Sequence, residues 1–193
     1  DSRFLFVYRH PIEVVSSLLR RGEFDSHPSL MSGFDQGAHI VELQNMLGLD
    51  VFVPGNHEFD FGPVGEHAIP MTSNEDPQGA LRQRIREAKF PVLGINVRDA
   101  SGQIPPWLRG SIVFESQGVK IGVIGATSNS TPSTTNGANL KGLTIVNSLD
   151  PVRTEALRMR NELKVDVVVV TIHDGASCTD NSPQKIEDLS SCT

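Results

Sequence analysis

Short apolar runs alternate with amphipathic stretches along the chain. Val51 to Val53, Val92 to Val97 (VLGINV) and Asp166 to Ile172 (DVVVVTI) are apolar runs bounded by Pro, Gly or polar residues, the pattern of buried strands. Phe4 to Tyr8 (FLFVY) reads the same way. Ser111 to Glu115 and Val119 to Gly125 (VKIGVIG) flank Gln117-Gly118 and predict a pair of strands joined by a tight turn. Between these runs the period changes. Ile12 to Arg21 predicts a helix, started by Pro11 and ended near Gly22. Ala38 to Leu47 carries Ile40, Leu43 and Leu47 on one helical face and is closed by Gly48. Glu75 to Lys89 repeats the pattern with Leu81, Ile85 and Ala88, and Pro151 to Lys164 with Leu157 and Leu163 inward and Asp150 as N-cap. Glu23 to Gly37 and Ala126 to Leu140 are rich in Ser, Thr, Asn, Gly or Pro and read as loops, the second a long surface loop. Strand and helix in alternation predict an α/β fold with a largely parallel, helix-covered sheet.

At 193 residues the chain is the size of one ordinary domain with a real core. A net charge of -6 without Lys/Arg runs argues against a nucleic-acid backbone or an anionic membrane as the main partner. A small anionic substrate would instead need a local metal or a few well-placed cations. The first residues, DSRFLFVYRHP, lack the long apolar core of a signal peptide, and no apolar run reaches the length that spans a bilayer. Cys178 and Cys192 sit close together in a polar tail, compatible with a disulfide in an oxidising compartment or with two free thiols.

The chemistry concentrates where VFVPGNHEFDFG ends the Val51 run. Pro54-Gly55 stops the strand and opens onto Asn56, His57, Glu58 and Asp60, delivering a hard carbonyl oxygen, an imidazole and carboxylates to the strand's C-terminal edge. His173 and Asp174 follow directly on the Asp166 to Ile172 run, so both clusters can share one rim. A solvated strand-end histidine is the bland alternative for His173, and a salt-bridged turn the bland alternative for His57 and Asp60. His39 and His67 read as structural, and His27 as an occasional ligand.

GNHEFDFG at Gly55 to Gly62, preceded by NMLGLDVFVP, resembles the signature block of the calcineurin-like metallophosphoesterases, in their 5'-nucleotidase branch. Leu93 to Val97, Gly118 to Gly125 and Asp166 to Gly175 continue the resemblance in the family's order, over about residues 28 to 175. It implies a layered α/β sandwich of mixed sheets covered by helices. It also implies a pair of divalent ions, Mn, Zn, Fe, Mg or Ca, that polarise a phosphoryl group and activate a water. By the resemblance Asn56 and His173 are metal ligands, with Asp25 as the nearest candidate for the bridging carboxylate. His57 stabilises the transition state or protonates the leaving alkoxide, Asp60 orients it, and Asn96 is a substrate-side residue. The expected substrate is a small phosphomonoester, above all a nucleotide, and the expected location periplasmic or extracellular. The family's Asp-x-His and Gly-His-x-His blocks are not found in this stretch. Residues 28–193 therefore read as a partial catalytic domain, with a C-terminal substrate-recognition domain expected in the full-length protein.

Residues 1–27 follow another pattern. Arg9 to Arg21 resembles the second nucleotide-binding block of sulfotransferases, in which an Arg and a Ser eight positions later hold a 3'-phosphate; Arg9 and Ser17 have that spacing. A fusion junction is expected near residues 22 to 27. The readings to be weighed are thus a metal-dependent phosphomonoesterase, a catalytically incomplete remnant of that fold and a sulfotransferase-like chimera.

Overall fold

A computed structural model describes residues 36–174. The strand and helix expected before residue 22, and Arg9, His10, Ser17, Asp25, His27, Cys178 and Cys192, lie outside the described residues.

The centre is a three-stranded sheet in the order β2 (Ser111–Ser116), β3 (Val119–Ala126), β5 (Val167–Ile172). β2 and β3 form an antiparallel hairpin whose two turn residues, Gln117 and Gly118, have φ of 51° and 78°. Positive φ at both positions gives a tight turn whose twist matches that of the strands, and the glycine takes it without penalty. β3 and β5 run parallel, in register from Ile121 opposite Val167 to Ala126 opposite Ile172. β1 (Val97–Asp99) and β4 (Leu143–Ile145) form a separate antiparallel ribbon. The sheets are therefore mixed, not largely parallel: the hairpin connection is too short for anything but an antiparallel pair, whereas β3 reaches β5 through a long crossover.

That crossover carries α4 (Leu149–Asn161), which packs its Val152, Ala156 and Met159 against Ile124, Ala126 and Val165. Leu163 packs against this cluster as expected, but Leu157 is 54% exposed, and the fully buried Met159 takes the inward position in its place. The helix starts after Ser148, two residues earlier than a cap at Asp150 would place it. A second cluster of Phe90, Val92, Val97 and Leu108 joins Phe52, Ile85 and Ala88 under α2 (Gly79–Glu87), a helix shorter than its amphipathic window. α1 (Ala38–Met46) has no fully buried residue among those described, and Leu47, just past its end, is exposed.

Two expected strands are reduced to fragments. Val51 to Val53 contributes one parallel bridge, Phe52 to Val92, because Pro54 has no N–H to carry the ladder on. Val92 to Val97 breaks up because Gly94 N–H bonds to Arg109, Ile95 N–H to Gly125 and Val97 N–H back to Gly94, so the chain crosses its neighbours instead of running beside one. The stretch Ala126 to Leu140 is not a surface loop throughout. It contains the one-turn helix α3 (Thr131–Thr134) and a 3-10 turn (Gly137–Leu140), and Thr127, Ser128, Thr131 and Asn139 are buried. Among the described residues no helix is long and apolar enough to cross a membrane.

Candidate functional site

Residues 54–62 form a short knuckle at the end of the Phe52 bridge. Gly55 N–H donates to Glu58 Oε2 at 2.6 Å, which closes the turn and gives Glu58 a structural task. His57–Phe59 form one 3-10 turn, with Phe59 N–H on Asn56 O and Asp60 N–H on His57 O. Phe59 is 2% exposed and anchors the turn in the core. With Phe59 pointing in, His57 and Asp60 point out. Their side chains meet at 2.6 Å between His57 Nδ1 and Asp60 Oδ2. The other carboxylate oxygen, Oδ1, accepts from the Thr135 hydroxyl.

The second cluster joins this knuckle from β5. His173 N–H donates to Ala126 O, which continues the β3–β5 ladder one residue past the strand and fixes where the ring emerges. His173 Nε2 lies 3.1 Å from Asn56 Oδ1. The ring passes directly over Gly55: a Cβ there would come within 2.7 Å of two ring atoms, so only glycine admits it in this position. Next to it, Asp174 Oδ1 accepts from Ser128 Oγ at 3.3 Å.

Asn56, His57, Asp60 and His173 thus line one end of a cleft of about 650 Å³. Phe52, Phe61, Leu81, Ile85, Phe90 and Val92 form its apolar length. A few convergent polar groups in an otherwise apolar cleft is the usual build of a small-molecule site. Asn56 Oδ1 and His173 Nε2, an oxygen and an imidazole nitrogen aimed at each other, fit as two donors to one divalent ion. Among the described residues no group of three or more His, Cys, Asp or Glu side chains converges, and Asp25 lies outside them.

Asn96 takes a different place from the one its motif suggests. It is fully buried; its Nδ2 donates to Thr127 O and Val146 O, and its Oδ1 accepts from Thr127 N–H. Both amide hydrogens and the carbonyl oxygen are engaged, tying the start of β1 to the residues just past β3 and β4, so it supports the rim and does not line the cleft. The shifted carboxylates are also remote. Arg158 beside Glu155 holds its carboxyl below the usual range against the opposing effect of burial, with help from the Ser111 hydroxyl. The Ser101 hydroxyl, followed by backbone N–H groups, does the same for the exposed Asp99. Both are structural pairings, the first on α4 and the second in a turn, and neither carboxylate lines the cleft. His39 and His67 are exposed.

Thr135 and Asn139 are the site residues that the sequence does not reveal. Asn139 Nδ2 donates to Phe59 O at 2.8 Å and to Ala68 O at 2.9 Å, so the 127–140 segment grips the knuckle at a second point. These contacts join residues more than seventy positions apart. The Ser/Thr/Asn-rich composition carries no hint of them.

No family model matches the chain. It is 29% identical over 156 residues to the 5'-nucleotidase of Rattus norvegicus, covering 78% of this chain and 24% of that protein. It is 27% identical over 150 residues to protein UshA of Salmonella pullorum, covering 74% and 24%. The calcineurin-like phosphoesterase YfkN from Bacillus subtilis superposes with a TM-score of 0.58 at 21% identity, over 90% of this chain and 47% of that one. The chain spans about a quarter of the length of these curated relatives.

Proposed function

Because its sequence relatives include a 5'-nucleotidase and protein UshA and its fold is the mixed α/β layering of the calcineurin-like phosphoesterases, we propose that this chain is the partial catalytic domain of a hydrolase. Its substrates are phosphomonoesters, nucleoside 5'-monophosphates first among them. The observation that carries the reading is the convergence of His57–Asp60 and Asn56–His173 at one end of the cleft.

Asn56 Oδ1 and His173 Nε2 would hold one divalent ion of a pair, with Asp25 and further donors completing the set. Bound there, the ions supply charge that offsets the phosphoryl oxygens and lowers the pKa of the attacking water. To ligate, His173 would carry its proton on Nδ1, which leaves the Nε2 lone pair for the ion, beside Asn56 Oδ1.

The remaining work falls to His57. As the water oxygen forms its bond to phosphorus and loses a proton to solvent, the P–O bond to the leaving group breaks, the electron pair goes to the ester oxygen, and His57 gives that oxygen its proton. Asp60 accepts from Nδ1 and thereby directs Nε2 at the substrate; it also stabilises the imidazolium that must exist before transfer. Phosphate and the free nucleoside are the products. The apolar length of the cleft suits the organic part of the substrate, and the expected C-terminal domain would add nucleotide recognition. A periplasmic or extracellular location accords with this reading.

The test is phosphate release from a nucleoside monophosphate and from a generic aryl phosphate, with added Mn, Zn or Mg, by this chain and by His57→Ala. Metal-dependent release that falls by about 10² or more in the variant supports the proposal. A folded chain that turns over neither substrate leaves it a remnant of the fold.

A further inference from the structure

We propose that Thr135 is a positioning residue for the His57–Asp60 pair, and that segment 127–140 is the mount that holds it. The inference rests on the reading of His57 as the group that meets the leaving oxygen.

Asp60 ends a single 3-10 turn in an irregular stretch, and its side chain is 41% exposed. The terminal torsion of an aspartate is broad and roughly two-fold, so a carboxylate held by one oxygen alone swings readily toward water. Here both oxygens are engaged, Oδ2 by His57 and Oδ1 by the Thr135 hydroxyl. A carboxylate gripped from both sides fixes the plane in which the imidazole lies, and with it the direction of Nε2.

Thr135 is itself held. Its N–H donates to Thr131 O at 3.1 Å, at the end of α3, and Thr131 is fully buried. Ser133 and Thr134 hydroxyls donate to Ser130 O, which tightens the same turn. The following residue, Asn136, accepts from Ala138 N–H and starts the turn that inserts Asn139 beneath the knuckle. Asn139 then holds the carbonyl of Phe59, the residue before Asp60. The segment therefore fixes Asp60 twice, by its side chain and through its neighbour's backbone. A threonine suits the upper contact because its branched Cβ restricts χ1 and leaves the hydroxyl few alternatives.

A loop that merely packs against the knuckle would need neither the hydroxyl nor its direction. Val keeps the shape and removes the donor, and Ser keeps the donor and loosens the rotamer. In protein labelled with 15N in the imidazole ring, at one fixed pH above the ordinary histidine range, we expect the wild type to hold the Nδ1–H tautomer. Thr135→Val then gives a mixture of tautomers, and Thr135→Ser restores most of the wild-type pattern. Wild-type ring shifts in Thr135→Val, with unfolding midpoints that agree, overturn the proposal.

The kinetic arm compares substrates. Thr135→Val lowers kcat about tenfold for a nucleoside monophosphate, whose alkoxide leaving group needs the proton, with KM little changed. For an aryl phosphate, whose leaving group needs it less, the loss is smaller. Equal losses on both substrates, tracking lost stability, also overturn the proposal. If the wild type hydrolyses neither, the functional reading fails, while the ring spectra still decide the role of Thr135.

Discussion

Gly55→Ala tests the geometry of the site with the smallest possible change. The added Cβ would lie 2.7 Å from His173 Cε1 and Nδ1 and 2.8 Å from Cγ. Ordinary carbon contact begins near 3.5 Å, so the ring must withdraw by about 0.8 Å. The 3.1 Å approach of His173 Nε2 to Asn56 Oδ1 does not survive such a shift. Metal donors tolerate displacements of about 0.2 Å, and disturbing the support of a ligand typically costs 10- to 100-fold in affinity. Backbone strain does not enter, because the φ of Gly55 is not in the left-handed region. The lost chain entropy of the unfolded glycine stabilises by about 0.4–1 kcal/mol. Crowding the ring costs about 1–3 kcal/mol, leaving a net loss of roughly 1 kcal/mol. Urea unfolding in chelator reads the stability, and calorimetric titration with Mn or Zn reads the affinity. A variant with the expected loss of stability but unchanged affinity would refute His173 as a ligand. Unchanged values of both would refute the close approach itself.

Four further substitutions probe the scaffold. Met159→Ala empties a fully buried position under β3 and should cost about 2–5 kcal/mol in urea, whereas Leu157→Ala on the exposed side of α4 should stay within about 0.5 kcal/mol. Asn139→Ala strands the carbonyls of Phe59 and Ala68 and should cost about 2–4 kcal/mol by the same measurement. Glu155 has a folded pKa below its ordinary value, chiefly because Arg158 hydrogen-bonds it, so it favours the folded state at neutral pH. That contribution fades as pH falls through the ordinary carboxylate range and is gone below the depressed value. Urea midpoints from pH 7 to pH 3 should therefore fall less steeply in Glu155→Gln than in the wild type; parallel profiles would refute the linkage.

What the sequence made legible was mostly local. Gln117-Gly118 sets the β2–β3 hairpin by its own turn chemistry, and Pro54-Gly55 places the knuckle by stopping a strand. The histidine and aspartate of that knuckle meet because a 3-10 turn brings residues three apart to one side. The inward side of α4 was legible only in part: Leu163, just past its end, packs inward as expected, but Leu157's hydrophobicity masked the Val152, Ala156, Met159 spacing that the helix buries. Outside the β2–β3 hairpin, strand direction was not legible, because it depends on how a longer connection returns and not on the strand's own residues. Nor was the burial of Thr127, Thr131 and Asn139. Polar residues that go inside leave the same composition as a solvated loop, whether paired, as Asn139 Nδ2 is, or without a hydrogen-bond partner, as the Thr127 and Thr131 hydroxyls are. The same limit hid Asn96 as a structural tie and Thr135 as a partner of Asp60.

The central claim is that this cleft directs water at a phosphoryl group with His57 serving the leaving oxygen. Hydrolysis of a nucleoside 5'-monophosphate in 18O-labelled water, with added divalent metal, tests it most directly. The account predicts one labelled oxygen in the released phosphate and none in the nucleoside. Release by His57→Ala should be lower by about 10²–10⁴. Label in the nucleoside, release undiminished in the variant, or no release from the folded chain would contradict the account.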